Sequence, residues 1–144
     1  MSKIPPLHIA YLCIGTNLGS LEMNLDNAKL EISNWPRTKI VKKSKVLKTS
    51  PCGPIKNQDD FLNQLLKIET FLNPLAIIEL IEITENKMGR KRKGIPQKGP
   101  RLIDIDLMKF DKLVISSKKL KLPHPSIKSR EYISVLFEDI QKIK

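Results

Sequence analysis

Two aspartates inside an apolar segment are the residues of this sequence best suited to chemistry. Asp104 and Asp106 stand two apart within the apolar run 102–108. Because alternate residues of a strand point to the same face, both carboxylates would leave one side of the segment. Two like charges on a buried central strand repel unless a cation neutralises them. A solvent-facing strand edge is the alternative, but the apolar neighbours favour a site for Mg²⁺, which is bound by one or two carboxylates together with substrate phosphates.

Scarce arginines lie next to these aspartates. Arg90, Arg92 and Arg101 bracket a basic, glycine-containing loop that ends just before the apolar run. Guanidinium groups match phosphate oxygens geometrically, so the loop could clamp a polyphosphate, although a solvated basic loop would have the same composition. The Gly-x-x-x-x-Gly-Lys-Ser/Thr signature is absent from the sequence, which excludes a P-loop enzyme.

Composition and charge limit the possible classes of protein. The chain has 144 residues, which predicts one domain over residues 1–144, and its net charge of +11 favours a polyanionic partner such as a nucleotide or a nucleic acid. The sequence contains no apolar run of the ~20 residues that a membrane span requires. Cys13 and Cys52 lack the spacing of a zinc site or a disulfide framework, so we expect a cytoplasmic protein.

The hydrophobic pattern predicts the elements that would position these residues. We expect strands over 7–14, 39–48, 61–71, 102–108 and 113–115, with helices over 18–32, 73–88 and from Ser126 as a cap. The strand over 39–48 is rich in lysine, which is typical of a sheet edge, and the segment 61–71 would also fit a helix. The order β-α-β-β-α-β predicts an α+β fold, the ferredoxin-like sandwich, with additional C-terminal elements.

The motifs together resemble a known enzyme family. Its most specific pieces are Gly99–Asp106, then Leu122–Pro125 with Arg130 beyond it, and Phe61–Asn63 after the loop 51–54. On these residues the chain resembles the 6-hydroxymethyl-7,8-dihydropterin pyrophosphokinases of folate biosynthesis, from residue 11 to residue 140. The resemblance implies a ferredoxin-like fold and transfer of pyrophosphate from ATP to the hydroxymethyl group of the reduced pterin, with release of AMP.

The resemblance also implies roles for individual residues. It assigns the chemistry to Arg90, Arg92, Asp104 and Asp106, with Asp104 and Asp106 holding two Mg²⁺ ions. It places ATP near Glu82, Glu85, Arg90, Arg92, Arg101, Leu107, Lys119, Lys121, His124 and Arg130. It places the pterin near Thr49, Ser50, Cys52, Gly53, Phe61, Asn63 and Tyr132, with Phe61 and Tyr132 sandwiching the ring. Taken without the family, both aromatic residues would also fit ordinary core packing, and His124 a structural loop.

One alternative belongs to a different class of protein. A ferredoxin-like RNA-binding module would accommodate both the basic charge and the strand order. It is disfavoured because the Lys/Arg-Gly-Phe/Tyr-Gly/Ala-Phe signature is absent from the sequence and because Asp104 and Asp106 would repel a phosphate backbone. We therefore expect ATP and a reduced pterin as partners, no nucleic acid or membrane, and the next enzyme of the folate pathway as a candidate protein partner.

Overall fold

An antiparallel β-sheet forms the centre of the protein in its computed structural model, which describes residues 5–50, 59–89 and 102–143. The elements are β1 (His8–Thr16), α1 (Leu21–Ser33), β2 (Thr38–Lys43), β3 (Leu47–Thr49), β4 (Phe61–Thr70), α2 (Pro74–Lys87), β5 (Asp104–Phe110), β6 (Ile115–Ser116), β7 (Lys121–Leu122), α3 (Ser126–Ser129) and α4 (Glu131–Lys142). No helix in these three ranges has the length and apolar character needed to cross a membrane.

The strand order places β1 and β4 at the centre of the sheet. The order is β2-β4-β1-β5, β3 also pairs with β4, and every pair is antiparallel. The segment 61–71, for which a helix was the alternative, is therefore a strand. The lysine-rich segment 39–48 is divided into β2 and β3, and β2 ends the sheet as its lysines predict.

Helices cover both faces of the sheet. On one face, α1 and α2 pack on alternate residues of the central strands, through the buried side chains of Leu12, Ile14, Leu25, Ala28, Ile32, Leu66, Ile77 and Ile81. On the other face, α4 packs on the intervening residues, through Cys13, Leu65, Met108, Ile133, Leu136, Phe137 and Ile140. The period-2 alternation of the strands thus produces two separate apolar layers.

The position of β5 corrects one expectation. The apolar run around Asp104 and Asp106 suggests a buried central strand, but β5 ends the described sheet and both aspartates are half-buried. The run is apolar because helices cover both sides of the strand, with Ile105 and Leu107 facing α1 and α2 and Met108 facing α4. Burial of both faces, and not a central place in the sheet, is the cause of this pattern.

Of the two helix caps predicted from the sequence, one is confirmed and one is wrong. Asn73 caps α2, because its Oδ1 accepts the Ala76 N–H at 2.9 Å and Pro74 follows at the first helical position. The prediction that Ser126 caps the closing helix is wrong. Ser126 is instead the first residue of α3 and its side chain hydrogen-bonds to His124, while the closing helix α4 begins at Glu131.

Candidate active site

Both aspartates lie on β5, beside the central strand β1. Asp104 pairs with Gly15 and Asp106 pairs with Cys13 in the antiparallel register. The intervening Ile105 packs on the opposite face of the sheet, with α1 and α2. The two carboxylates therefore share the α4 face of the sheet, as their spacing predicts.

A buried glutamate fixes the backbone between the aspartates. Glu85 in α2 is 5% exposed, and its Oε2 accepts the backbone N–H of Ile105 at 2.8 Å. Because β5 ends the described sheet, this bond ties the outer side of the strand to α2 where no neighbouring strand does so. The contact positions Asp104 and Asp106, whereas the family resemblance assigns Glu85 to the ATP site.

A first cavity, here called the aromatic cavity, lies between the sheet and the start of α4. Its lining residues are Cys13, Gly15, Thr49, Ser50, Phe61, Asn63, Asp104, Asp106, Met108, Arg130, Tyr132 and Ile133. Phe61 begins β4 and Tyr132 lies in the first turn of α4, so the two rings reach the cavity from different elements. The five described residues expected to hold the pterin therefore line one cavity together with both aspartates.

Gly15 gives Asn63 its place in this cavity. Asn63 is 5% exposed, and its amide nitrogen donates to Thr49 Oγ1 at 2.6 Å. A Cβ atom on Gly15 would lie 2.9 Å from Asn63 Oδ1, closer than non-bonded atoms tolerate. The side chain of Asn63 thus occupies space that only glycine leaves open at this position.

Two further lining residues, Gly15 and Cys13, have no site role predicted from the sequence. The strand predicted over 7–14 stops before Gly15, and Cys13 lacks the spacing of a zinc site or a disulfide framework. Their place in the cavity follows from the pairing of β1 with β5, which sets each of them opposite an aspartate. Burial, followed by the charges of Asp106 and Asp104, raises the pKa of the Cys13 thiol against the opposing effect of Arg130, so this side chain stays protonated at neutral pH.

A second cavity, here called the lysine groove, runs along the outer side of β5. Its lining residues are Ile78, Ile81, Ile105, Asp106, Leu107, Lys118, Lys119, Leu120, Lys121, His124 and Pro125. Its volume of about 370 Å³ falls within the range of small-molecule sites. Apolar side chains from α2 and β5 face three lysines across it, an arrangement suited to a ligand with an apolar body and a negative charge. Asp106 lines both this groove and the aromatic cavity.

His124 stands where the groove meets the aspartates. Its Nε2 lies 3.8 Å from Asp106 Oδ1, and its backbone N–H donates to the Met108 carbonyl oxygen at 2.9 Å. Burial, and then the positive charge of Arg130, lowers the pKa of His124, while Asp104 acts in the opposite direction. Burial and the charge of Arg130 both favour the neutral form of the imidazole.

Arg130 lines the aromatic cavity beside both aspartates. The family resemblance groups this residue with the nucleotide and its phosphates. Its Nη1 donates to the Tyr132 hydroxyl at 3.2 Å. A guanidinium in this position can compensate the charge of the two carboxylates and orient Tyr132 at the same time.

Some expected site residues either do not line the two cavities or lie outside the part of the chain that the structure describes. Glu82 is exposed on α2, and it is absent from the lining of both cavities. Arg90, Arg92, Arg101, Cys52 and Gly53 lie outside the described residues.

The described residues supply few protein ligands for a metal. Within 5–50, 59–89 and 102–143 no three His, Cys, Asp or Glu side chains cluster as a set of metal ligands. Two carboxylates without a third ligand suit Mg²⁺, which completes its coordination with water and substrate phosphates, better than they suit a metal held by protein alone.

Comparison with known proteins identifies relatives over nearly the whole chain. Residues 11–142 match the family model described as 7,8-dihydro-6-hydroxymethylpterin-pyrophosphokinase (HPPK). The 2-amino-4-hydroxy-6-hydroxymethyldihydropteridine pyrophosphokinase of Haemophilus influenzae is 35% identical over 130 residues, which are 90% of this chain and 79% of that protein. The corresponding protein of Bacillus subtilis is 33% identical over 126 residues, 88% of this chain and 74% of its own length.

A solved structure shares the fold. The HPPK-DHPS of Plasmodium falciparum superposes with a TM-score of 0.71 at 18% identity, and the match covers 96% of this chain and 43% of that one. The chain thus spans less than half the length of that protein.

Proposed function

The chain belongs to the 7,8-dihydro-6-hydroxymethylpterin-pyrophosphokinase family, and from this premise we propose that the aromatic cavity binds the pterin and the lysine groove binds ATP. The enzyme is an ATP-dependent pyrophosphokinase of folate biosynthesis, not an RNA-binding module. It transfers pyrophosphate from ATP to 6-hydroxymethyl-7,8-dihydropterin and releases AMP. The observation that carries the assignment of the cavities is that Asp106 lines both of them, because the transferred group must pass between the two substrates.

The aromatic cavity carries the residue types that recognise a flat heteroaromatic ring. Phe61 and Tyr132 can stack on its two faces, and Asn63 and Thr49 already form a hydrogen-bonded pair that can meet its edge. Ser50 lies beside Thr49 in the same lining. From the family resemblance we add Cys52 and Gly53 to this substrate site.

The lysine groove offers what a nucleotide requires. Leu107 and the α2 side chains provide an apolar wall, while Lys119, Lys121 and His124 provide donors for phosphate oxygens. Arg130 can reach the transferred group from the pterin side. From the family resemblance we add the side chains of Glu82, Glu85, Arg90, Arg92 and Arg101 to the ATP site, with Arg90 and Arg92 contributing to catalysis.

Asp104 and Asp106 are the residues that would hold magnesium, and we propose two ions. The fit rests on the donor set, which has two half-buried carboxylates on one face of a strand at the meeting point of two cavities. When bound there, Mg²⁺ would neutralise phosphate charge during the transfer.

The chain's own residues supply positioning. Glu85 fixes the strand that carries the aspartates, and Asn63 and the two aromatic rings would fix the pterin so that its hydroxymethyl group faces them. Alignment of the two reactants accounts for much of the rate enhancement in phosphoryl transfer. Neutral His124 can donate from Nε2 to a phosphate oxygen without adding charge.

We also infer the finer points of fold and context. The strand order β2-β4-β1-β5, with α1 and α2 on one face, supports a ferredoxin-like βαββαβ sandwich in one domain, to which β6, β7, α3 and α4 are added. We propose a cytoplasmic enzyme, where the buried free thiol of Cys13 stays reduced. The HPPK-DHPS relative supports the next folate-pathway enzyme as a partner.

The identity of the product formed from ATP, AMP or ADP, tests the proposed reaction. Purified protein with Mg²⁺, ATP and the reduced hydroxymethylpterin should produce AMP, and omission of the pterin should stop AMP release. ADP as the product would refute pyrophosphoryl transfer.

Two variants test the assignment of the cavities. Lys119→Ala should raise KM for ATP and leave KM for the pterin unchanged, whereas Phe61→Ala should raise KM for the pterin and leave KM for ATP unchanged. An exchange of these effects would refute the assignment of the two cavities.

A further inference from the structure

We propose that Ser126 is a positioning residue that holds the His124 imidazole with its proton on Nε2, the nitrogen directed at Asp106 and the lysine groove. The proposal concerns the residue that orients His124 and rests on the assignment of the lysine groove to ATP. Ser126 touches neither substrate in this arrangement and acts through the imidazole.

The backbone of Ser126 determines which ring nitrogen carries the proton. Its N–H lies 3.1 Å from His124 Nδ1. A backbone N–H can only donate, so Nδ1 must present its lone pair to it. In a neutral imidazole the proton then belongs on Nε2, which lies 3.8 Å from Asp106 Oδ1.

The hydroxyl of Ser126 holds the same edge of the ring. Its Oγ lies 2.8 Å from Nδ1 and 3.7 Å from Met108 Sδ, and the residue is 4% exposed. The backbone N–H of His124 donates to the Met108 carbonyl oxygen at 2.9 Å. His124 is therefore tied to β5 through its backbone, and its ring is held at Nδ1 by Ser126.

The orientation determines what a nucleotide would meet. At 3.8 Å the Nε2 to Asp106 Oδ1 separation is longer than a hydrogen bond, so the Nε2–H group can donate a hydrogen bond to a phosphate oxygen in the groove. The opposite tautomer would present a lone pair to the phosphate and lose this bond. Ser126 thus presents the Nε2–H group of His124 to the groove as a hydrogen-bond donor.

Nitrogen NMR of the protein without nucleotide tests the tautomer directly. The chain has two histidines, so ¹⁵N-histidine labelling gives two ring systems, and His8→Asn assigns the remaining one to His124. We expect a proton-bearing Nε2 and a lone-pair Nδ1 at pH 7. A proton on Nδ1 would overturn the proposal. A rise in KM for ATP in His124→Gln would then still support the assignment of the lysine groove to ATP, so the two claims can fail separately.

Kinetics test the hydroxyl. Ser126→Ala keeps the backbone N–H and removes Oγ, and we expect KM for ATP to rise about 3- to 10-fold, the range of one net hydrogen bond, with KM for the pterin unchanged. Ser126→Thr, which restores a hydroxyl, should recover most of this loss. The matched control is Ser129→Ala, an exposed serine of the same helix, which should change neither constant. An unchanged KM for ATP in Ser126→Ala, or equal rises for both substrates, would overturn the proposal.

Discussion

Substitution of Gly15 by alanine should damage pterin binding while leaving the fold intact. The new Cβ atom would lie 2.9 Å from Asn63 Oδ1, whereas its other neighbours, Leu62 O and Phe61 Cδ1, would both be at an ordinary 3.7 Å. To reach the ~3.5 Å at which non-bonded atoms attract, Asn63 Oδ1 must retreat by about 0.6 Å. The strain therefore falls on one polar side chain of the proposed pterin site.

The magnitude follows from the hydrogen bonds that this side chain makes. Moving the Asn63 amide disturbs its 2.6 Å bond to Thr49 and misaligns its contacts with the pterin edge. A misplaced buried polar group costs about 1–2 kcal/mol, or a factor of about 5 to 30 in affinity. The free energy of unfolding should fall by at most about 1.5 kcal/mol, because the preference for alanine over glycine within a strand, about 0.5–1 kcal/mol, offsets part of this cost.

Steady-state AMP formation at varied pterin and at varied ATP separates the two substrates. KM for the pterin should rise by the factor given above in Gly15→Ala, with KM for ATP unchanged and unfolding still cooperative. Asn63→Ala provides the matched control, since adding Gly15→Ala to it should have little further effect once the amide is gone. Additive losses in the double variant, or an unchanged KM for the pterin in Gly15→Ala, would refute this reasoning.

Three further predictions concern the charged and buried groups of the site. Asp104→Asn and Asp106→Asn should each lose most turnover while thermal unfolding stays cooperative, because both side chains are half-buried and belong to neither apolar layer. Joint loss of fold, measured by thermal unfolding, would contradict the proposed metal role. Glu85→Ala removes the acceptor of the buried Ile105 N–H, so the free energy of unfolding, measured by urea titration, should fall by about 1–3 kcal/mol. An unchanged unfolding midpoint would show that this hydrogen bond does not hold β5. In Cys52→Ser protein, Cys13 should resist iodoacetamide at pH 8 and react after unfolding, since burial raises its pKa; rapid alkylation of the native protein would disprove this.

The sequence predicts most elements because their periodicity is local. The strand at β1 and the helix at α2 follow from alternation, from helical spacing and from the cap at Asn73, all of which act within a few residues. The central position expected for β5 failed because an apolar run reports burial on both faces, and helices can provide that burial at the end of a sheet.

The candidate site was predicted unevenly for a similar reason. Residue types suited to chemistry, such as Asp104 and Phe61, could be selected from the sequence and its family resemblance. The role of Gly15 depends on the side chain of Asn63, which lies on a strand 48 residues away in the chain, and only the sheet register brings them together. The contact of Ser126 with His124 spans only two residues, yet the sequence predicts a helix cap at Ser126. A serine side chain can either cap a helix or hydrogen-bond to a neighbouring side chain, and the sequence does not distinguish the two.

A crystal structure with Mg²⁺, a nonhydrolysable ATP analogue and the reduced pterin tests most directly whether the two cavities meet at the aspartates. The account predicts magnesium on Asp104 and Asp106, the phosphates of the analogue running from the lysine groove towards them, and the pterin between Phe61 and Tyr132 with its hydroxymethyl oxygen facing the phosphates. Carboxylates turned away from the ligands, with no metal bound to them, would contradict it.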